Sequence, residues 1–282
     1  MMRRVKKGRI IKVAGGEKGE ELIGWMARKL DISRNAAKRL IDTRQVFVNR
    51  QRVWMARHIL QTGDLVEILV AGESADEARP RLQVRWRDEH YLIINKPSGW
   101  LANGPGSVEE ALTESLGRPV FAVHRLDRDT SGCMLLAWNK TGREKMIPVF
   151  QQREVIKVYE GLVIGKIPPG LDVINRKIEG EEAITRLKVL RRVGDIARVE
   201  FTLVTGRTHQ IRRHLTMHQL HLAGDKNYGS TLIENPALRA IPRHMLHAKL
   251  LGFPHPVTGK FIEMRCPLPD DYRAAAKVLG VG

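Results

Sequence analysis

Apolar residues at Leu22, Met26 and Leu30 recur at helical spacing, so a helix is expected across Glu20 to Leu30. Asp31-Ile32-Ser33 breaks that pattern, and the Ser33 hydroxyl suits the N-cap of a second helix with Ala37, Leu40 and Ile41 facing inward. The alternation Val46-Phe47-Val48 reads as a strand, Asn49 to Arg52 as a turn, and Val53 to Met55 as the returning strand. Leu65 to Val70, after the Gly63-Asp64 turn, reads as a last strand. Ala71 to Arg81 carries no large apolar residue, and a linker is expected there. Beyond it, apolar runs of strand length dominate: Tyr91 to Ile94, Val120 to Val123, Cys133 to Trp138, Ile156 to Gly165, Ala197 to Val204 and Met245 to Leu251. A helix is expected from His209, with Ile211 and Leu215 inward and Thr208 as its cap. Strands and helices mix without strict alternation, which predicts an α+β fold in preference to a parallel doubly wound one. The resulting division is a basic flexible arm over 1–16, a small α+β domain over 17–72, a linker over 73–81 and a larger domain over 82–282.

Composition adds a partner to this outline. The chain has 282 residues and 43% hydrophobic content, enough for a core, and a formal net charge of +17. Such an excess favours a polyanion through phosphate neutralisation and counterion release. Cys133 and Cys266 sit in apolar surroundings, so buried thiols in a reducing cytoplasm are expected, not a disulfide framework. No apolar run has the length of a membrane span, and no apolar core follows the basic stretch Arg3 to Arg9 as in a secretory signal. Phosphate-cradling loops, dinucleotide fingerprints and nucleophile elbows are absent from the sequence, so no cofactor is expected and the chemistry must run on side chains. His214 and His218 have zinc-like spacing, but no Glu follows His214 and no third ligand is evident, so packing histidines and no metal are expected.

The densest chemical signal is His124-Arg125-Leu126-Asp127-Arg128-Asp129-Thr130-Ser131-Gly132, a charged loop between two buried strands. Folding alone gives little reason to hold a carboxylate between two arginines on rigid supports; an active site does. Along Ile156 to Gly165, Lys157, Tyr159 and Gly161 share a face, and a small residue beside an aromatic leaves room for something flat to stack. Arg212 and Arg213 in a first helical turn oppose the helix dipole, which calls for an anionic partner, carboxylate or phosphate.

These segments, in this order, resemble an RluA-type pseudouridine synthase. His124 to Gly132 matches that family's His-Arg-Leu-Asp-x-x-Thr-Ser-Gly motif. The Asn95-Lys96-Pro97 turn, Lys157-x-Tyr159, Thr205 to Arg212, Gly224-Asp225 with Tyr228-Gly229, and Leu246-His247-Ala248 match in sequence and order, over about Leu82 to Pro269. The resemblance implies a central mixed, largely antiparallel sheet and cofactor-free isomerisation of uridine to pseudouridine in RNA. It implies Asp127 as the catalytic aspartate, acting as nucleophile or as base. Arg212 would pair with it, Tyr159 stack on the target base, Leu246 contact the base pocket and Arg125 fill the gap left by the flipped base. Departures are mild: Cys133 replaces a usual aliphatic residue, Asn103 a histidine or small residue, and Arg213 a small apolar one, adding a candidate phosphate contact.

The two basic helices and small sheet over 17–72 resemble the alpha-L RNA-binding domain of a small-subunit ribosomal protein, with Arg34, Lys38, Arg39, Arg44 and Arg50 as the RNA-facing residues. The implied partner is RNA, large-subunit ribosomal RNA ahead of tRNA, and the expected state is a monomer.

Overall fold

The computed structural model describes residues 9–42, 45–49, 51–53, 57–68, 82–229 and 236–282. The chain forms two compact units, Met1–Pro80 and Arg81–Gly282.

The first unit contains β1 (Arg9–Lys12), α1 (Leu22–Leu30), α2 (Arg34–Asp42), β2 (Val46–Val48), β3 (Gln51–Arg52) and β4 (Leu65–Ile68). Its antiparallel sheet runs β1-β4-β2-β3. Leu22, Trp25 and Met26 of α1 are fully buried against Ala37, Val46, Val66 and Ile68. Ser33 accepts from the Ala36 amide at 3.1 Å, the cap its position suggested. Two boundaries differ from expectation. Residues 9–16 are not part of a free arm: β1 pairs with β4, and the alternation through Ile11 and Val13 turns both toward the core. The returning strand of the hairpin already includes Gln51–Arg52, ahead of the expected Val53, with Val48 opposite Gln51 and Asn49 at a positive φ of 51°; Trp54 and Met55 lie outside the described residues. Residues 1–8, Arg44, Arg50 and the linker over 73–81 lie outside the described residues.

The second unit contains β5 (Gln83–Arg87), β6 (Tyr91–Lys96), α3 (Val108–Leu116), β7 (Phe121–Ala122), β8 (Ser131–Ala137), α4 (Lys140–Gln151), β9 (Ile156–Ile164), β10 (Val173–Asn175), β11 (Ile184–Val193) and β12 (Ile196–Leu203). There follow α5 (Gln210–Thr216), β13 (His221–Leu222), α6 (Pro236–Arg239), β14 (Leu246–Pro254), β15 (Phe261–Arg265) and α7 (Asp270–Val278). The strands build one 11-stranded mixed sheet with the path β10-β11-β12-β9-β14-β8-β6-β5. Every pairing between these strands is antiparallel except the short parallel contact of β14 with β8. All seven residues of β8 are buried, as its unbroken apolar run predicts for a strand covered on both faces. Cys133 and Cys266 are both buried free thiols.

Gly132 shows how tightly β8 meets β14. It has φ of 117°, and a Cβ there would lie 2.2 Å from the Ala248 carbonyl oxygen. Only glycine permits that approach and that backbone angle. The contact fixes the start of β8, and with it the end of the charged loop, against the centre of the sheet.

Candidate active site

The β7–β8 hairpin carries the charged loop over 123–130. Leu126 is buried in the core and pins the loop from the inside. The Thr130 amide closes a turn on the Asp127 carbonyl at 3.1 Å. The fully buried Lys96 donates from Nζ to the carbonyls of Pro97, Trp100 and Arg128 at 3.0, 2.8 and 2.9 Å. The Asn-Lys-Pro turn, structural when read alone, thus props up the loop. His124 accepts from the Leu135 amide at its Nε2 and stacks on Phe150. Burial pushes His124 down to about 4, so it stays neutral and shapes the loop. Thr130 bonds His244 Nε2 at 2.8 Å. His247 Nε2–H donates to the Cys266 carbonyl, which leaves its Nδ1 to accept from the Ser131 hydroxyl at 2.9 Å.

This scaffold holds Asp127 at the edge of a cavity of about 310 Å³, a volume suited to a nucleoside-sized ligand. Asp127, Tyr159, Leu246, Arg125 and Arg212, singled out from sequence, all line it. Arg212 projects from α5 and is almost fully buried. Its Nη1 donates to Asp127 Oδ2 at 3.2 Å, while Nε and Nη2 grip Asp225 at 2.7 and 2.9 Å. Burial opposes its charge, but the hydrogen bonds and charge of Asp225, then those of Asp127, outweigh that penalty and hold the guanidinium above its ordinary value. Asp225 is therefore the main partner of Arg212 and Asp127 the outer one. Sequence reading noted Gly224-Asp225 without giving it this job. The Tyr228 ring lies 4.7 Å beneath the same guanidinium.

Helix α5 is held by a satisfied buried network. Gln210 accepts from the Thr205 hydroxyl and the Arg207 amide, and donates to the Ile184 carbonyl and Thr185 Oγ1. Thr185 donates on to His214 Nδ1, whose Nε2–H meets the Arg176 carbonyl. Both ring nitrogens of His214 are thus committed to protein partners, and the zinc-like spacing with His218 reflects packing. Thr208 is not the cap expected of it. His209 occupies that position in a left-handed conformation (φ 54°) without a side-chain cap bond, and Gln210 reaches back to the Arg207 amide in its place. Arg213 meets the Glu179 carboxylate at 2.7 Å, so a carboxylate already fills the role proposed for phosphate.

Tyr159 sits on β9 opposite Phe201 of β12 and Ala248 of β14. Burial, then the nearby charge of Asp127, push its hydroxyl up, so the ring stays neutral. The space expected beside it at Gly161 is not open. A Cβ there would meet Leu222, Phe201 and Leu246 at 2.9, 3.1 and 3.3 Å. The missing side chain seats Leu246 against the cavity instead of leaving room for a ligand. Arg125 is exposed at the cavity edge.

Two further cavity residues have no role assigned from sequence. His209 Nε2 lies 3.6 Å from Asp127 Oδ1, and its Nδ1 bonds the Tyr228 hydroxyl at 3.0 Å. Burial lowers its proton affinity against the opposing pull of Asp127. Its left-handed backbone, uncommon for a non-glycine residue, aims the ring at the carboxylate. Lys157, on the same strand as Tyr159, donates to the Thr205 carbonyl and is pushed down to about 8 by burial and the charge of Arg153. The signal for His209 was its place directly before the helix that carries Arg212.

A family model described as RNA pseudouridylate synthase matches residues 90–217. The chain belongs to the RNA pseudouridine synthase family and is an RNA pseudouridine synthase, an isomerase of RNA uridines. An RNA pseudouridine synthase of Bacillus subtilis named YlyB is 33% identical over 90% of this chain and 92% of its own length. Ribosomal large subunit pseudouridine synthase D of Vibrio cholerae is 30% identical over 86% of this chain and 85% of its own. Ribosomal large subunit pseudouridine synthase C of Salmonella typhimurium is 28% identical over 96% of each. Among solved structures, human RNA pseudouridylate synthase domain containing 4 superposes with a TM-score of 0.61 at 23% identity. It covers 70% of this chain and 93% of its own, a likeness of fold.

Proposed function

We propose that the chain isomerises uridine to pseudouridine in large-subunit ribosomal RNA with Asp127 as the catalytic aspartate. The observation that carries the assignment is the Asp127 carboxylate at the cavity edge, 3.2 Å from a buried Arg212 that Asp225 locks from behind. The N1–C1′ glycosidic bond breaks, the uracil turns, and a C5–C1′ bond forms. The proton lost from C5 is balanced by one gained at N1, so nothing is consumed and no redox partner is needed. An ionised carboxylate serves whether it attacks C1′ or removes a ribose proton, and Arg212 donates a hydrogen bond to that carboxylate at 3.2 Å. Tyr159 offers a neutral ring for the uracil to stack on, Leu246 an apolar wall, and exposed Arg125 a planar cation to fill the vacated stack.

The substrate reading rests on the names of relatives C and D and on their near full-length match. The basic first unit supports it: Arg34 and Lys38 are exposed on α2, with Arg39 on the same helix, as an alpha-L RNA-binding domain would present them. Arg44 and Arg50 are assigned to the same RNA surface from sequence alone. The same reading takes the enzyme as cytoplasmic, monomeric and acting without metal or organic cofactor. The test is purified Asp127→Asn, which should fold and bind RNA but form no pseudouridine; retained turnover overturns the assignment. Mapping pseudouridines in total RNA with and without the gene should show sites lost from large-subunit rRNA, and loss confined to tRNA would refute the substrate.

A further inference from the structure

The matched family region ends at residue 217, yet the charged loop is gripped from far beyond it. Arg243, just ahead of β14, is 6% exposed. Its Nη1 donates to the carbonyls of Asp129, His244 and Leu246 at 2.9, 3.0 and 3.4 Å. Its Nη2 donates to Ser131 Oγ at 3.4 Å and Asp271 Oδ1 at 2.9 Å, and its Nε to Asp271 Oδ2 at 2.7 Å. All five N–H donors of the guanidinium have acceptors on three separate segments.

The acceptors are telling. Asp129 and Ser131 bracket Thr130 at the end of the Asp127 loop. Leu246 is the cavity wall. Asp271 lies in the first turn of α7, where the helix dipole favours a carboxylate, and its Oδ1 also accepts from the Tyr272 amide at 2.8 Å. A surface salt bridge needs none of this. A fork reaching the carbonyls of Asp129, His244 and Leu246 on one arm and a helix-anchored carboxylate on the other fixes their relative positions.

We propose that Arg243, aimed by Asp271, is a positioning residue for the isomerisation: it sets where Asp127 stands relative to the cavity wall without touching the RNA. This rests on the reading of Asp127 as catalyst. Lysine at 243 keeps the charge toward Asp271 but has three donors from a single point, so it cannot hold Asp129, Leu246 and Asp271 together. A displacement of the loop near 1 Å lowers the chemical step by about 10- to 100-fold.

The experiment compares wild type, Asp127→Asn, Arg243→Lys, Asp271→Asn and the Arg243→Lys/Asp271→Asn double variant. Each is assayed on rRNA transcript for kcat and KM below its own melting temperature. Arg243→Lys should lose about 10- to 100-fold in kcat with KM little changed, and Asp271→Asn a smaller part of that. The double variant should be no slower than Arg243→Lys alone, since the pair acts as one unit. A merely structural pair would lower melting temperatures and leave kcat of the folded protein alone. Folded Arg243→Lys and Asp271→Asn with wild-type kcat overturn the proposal. Should Arg243→Lys not fold, Asp271→Asn decides by the same criterion. An active Asp127→Asn sinks the catalyst reading instead, so the two failures are distinguishable.

Discussion

Asp225→Asn is the sharpest perturbation of the site, because it changes one atom and leaves the substrate groups in place. The Asp225 and Arg212 side chains are 1% and 5% exposed, and they share two hydrogen bonds of 2.7 and 2.9 Å. Asparagine keeps Oδ1 and its bonds to the Asn227 and Tyr228 amides. The new NH2 group then faces the Arg212 Nε–H, donor against donor. Breaking one side of a buried ion pair costs about 3–5 kcal/mol, and the lower end applies because Asp127 still faces the guanidinium. For a unit of this size, about 3 kcal/mol corresponds to a melting temperature lower by about 6–12 °C. The effect also has a pH signature. Burial raises the Asp225 carboxyl, but Arg212 overcomes that and holds it below its ordinary value. A depressed carboxyl stabilises the fold above its unfolded pKa and loses that contribution as pH falls through the folded one. The gap between wild type and Asp225→Asn should be constant from pH 6 to 8 and close below about pH 4. Freed from Asp225, Arg212 draws closer to Asp127, and kcat should fall by about tenfold or more while KM moves little. Melting curves and a pseudouridine-formation assay at pH 7 check both effects. Wild-type melting together with wild-type kcat would refute the view that Arg212 is locked from behind.

Two other outcomes follow from the same geometry. Tyr159→Phe should stay close to wild type, whereas Tyr159→Leu should lose about 5- to 150-fold in kcat/KM, the worth of one stacked base; a fully active leucine variant counts against stacking. His124, His244 and His247 are each pushed down to about 4, mainly by burial, so the unfolded chain binds more protons than the folded one between about pH 6.5 and 4. Stability is therefore full above pH 6.5 and falls on acidification, by on the order of 1–2 kcal/mol per histidine at pH 5; a urea midpoint unchanged between pH 7 and 5 would contradict this.

The site was legible where local chemistry announces itself. Four charges between two apolar strands marked the Asp127 loop, and the misplaced charge of Arg212 at a helix start pointed to an anion. Long-range placement was not legible. Nothing local ties residue 225 to 212 or 243 to 129, because such pairs are set by how β13 and β14 return to the sheet. His209 was missed for a related reason: its left-handed backbone turns it into the cavity, whereas helical periodicity puts it on a surface. Gly161 was misread because an absent side chain implies space, and only the packed core shows that Leu246, Phe201 and Leu222 fill it. Residues 9–13 were assigned to an arm on charge, although Ile11 and Val13 alternate as a strand does.

Strand β14 lies between β9 and β8 in the sheet, although it is next to last in the chain. A chain growing on a ribosome can form the β7–β8 hairpin early, but the neighbour that seats Gly132 is not yet made. The partners of Thr130 and Ser131, His244 and His247, come equally late. From the loop until β14 is made, the polypeptide therefore carries every charge of the loop and no working cavity. An enzyme that modifies RNA comes into being only when β14 has left the exit tunnel, and release before that point yields a basic, inactive fragment with an open central sheet, the kind of species that chaperones collect.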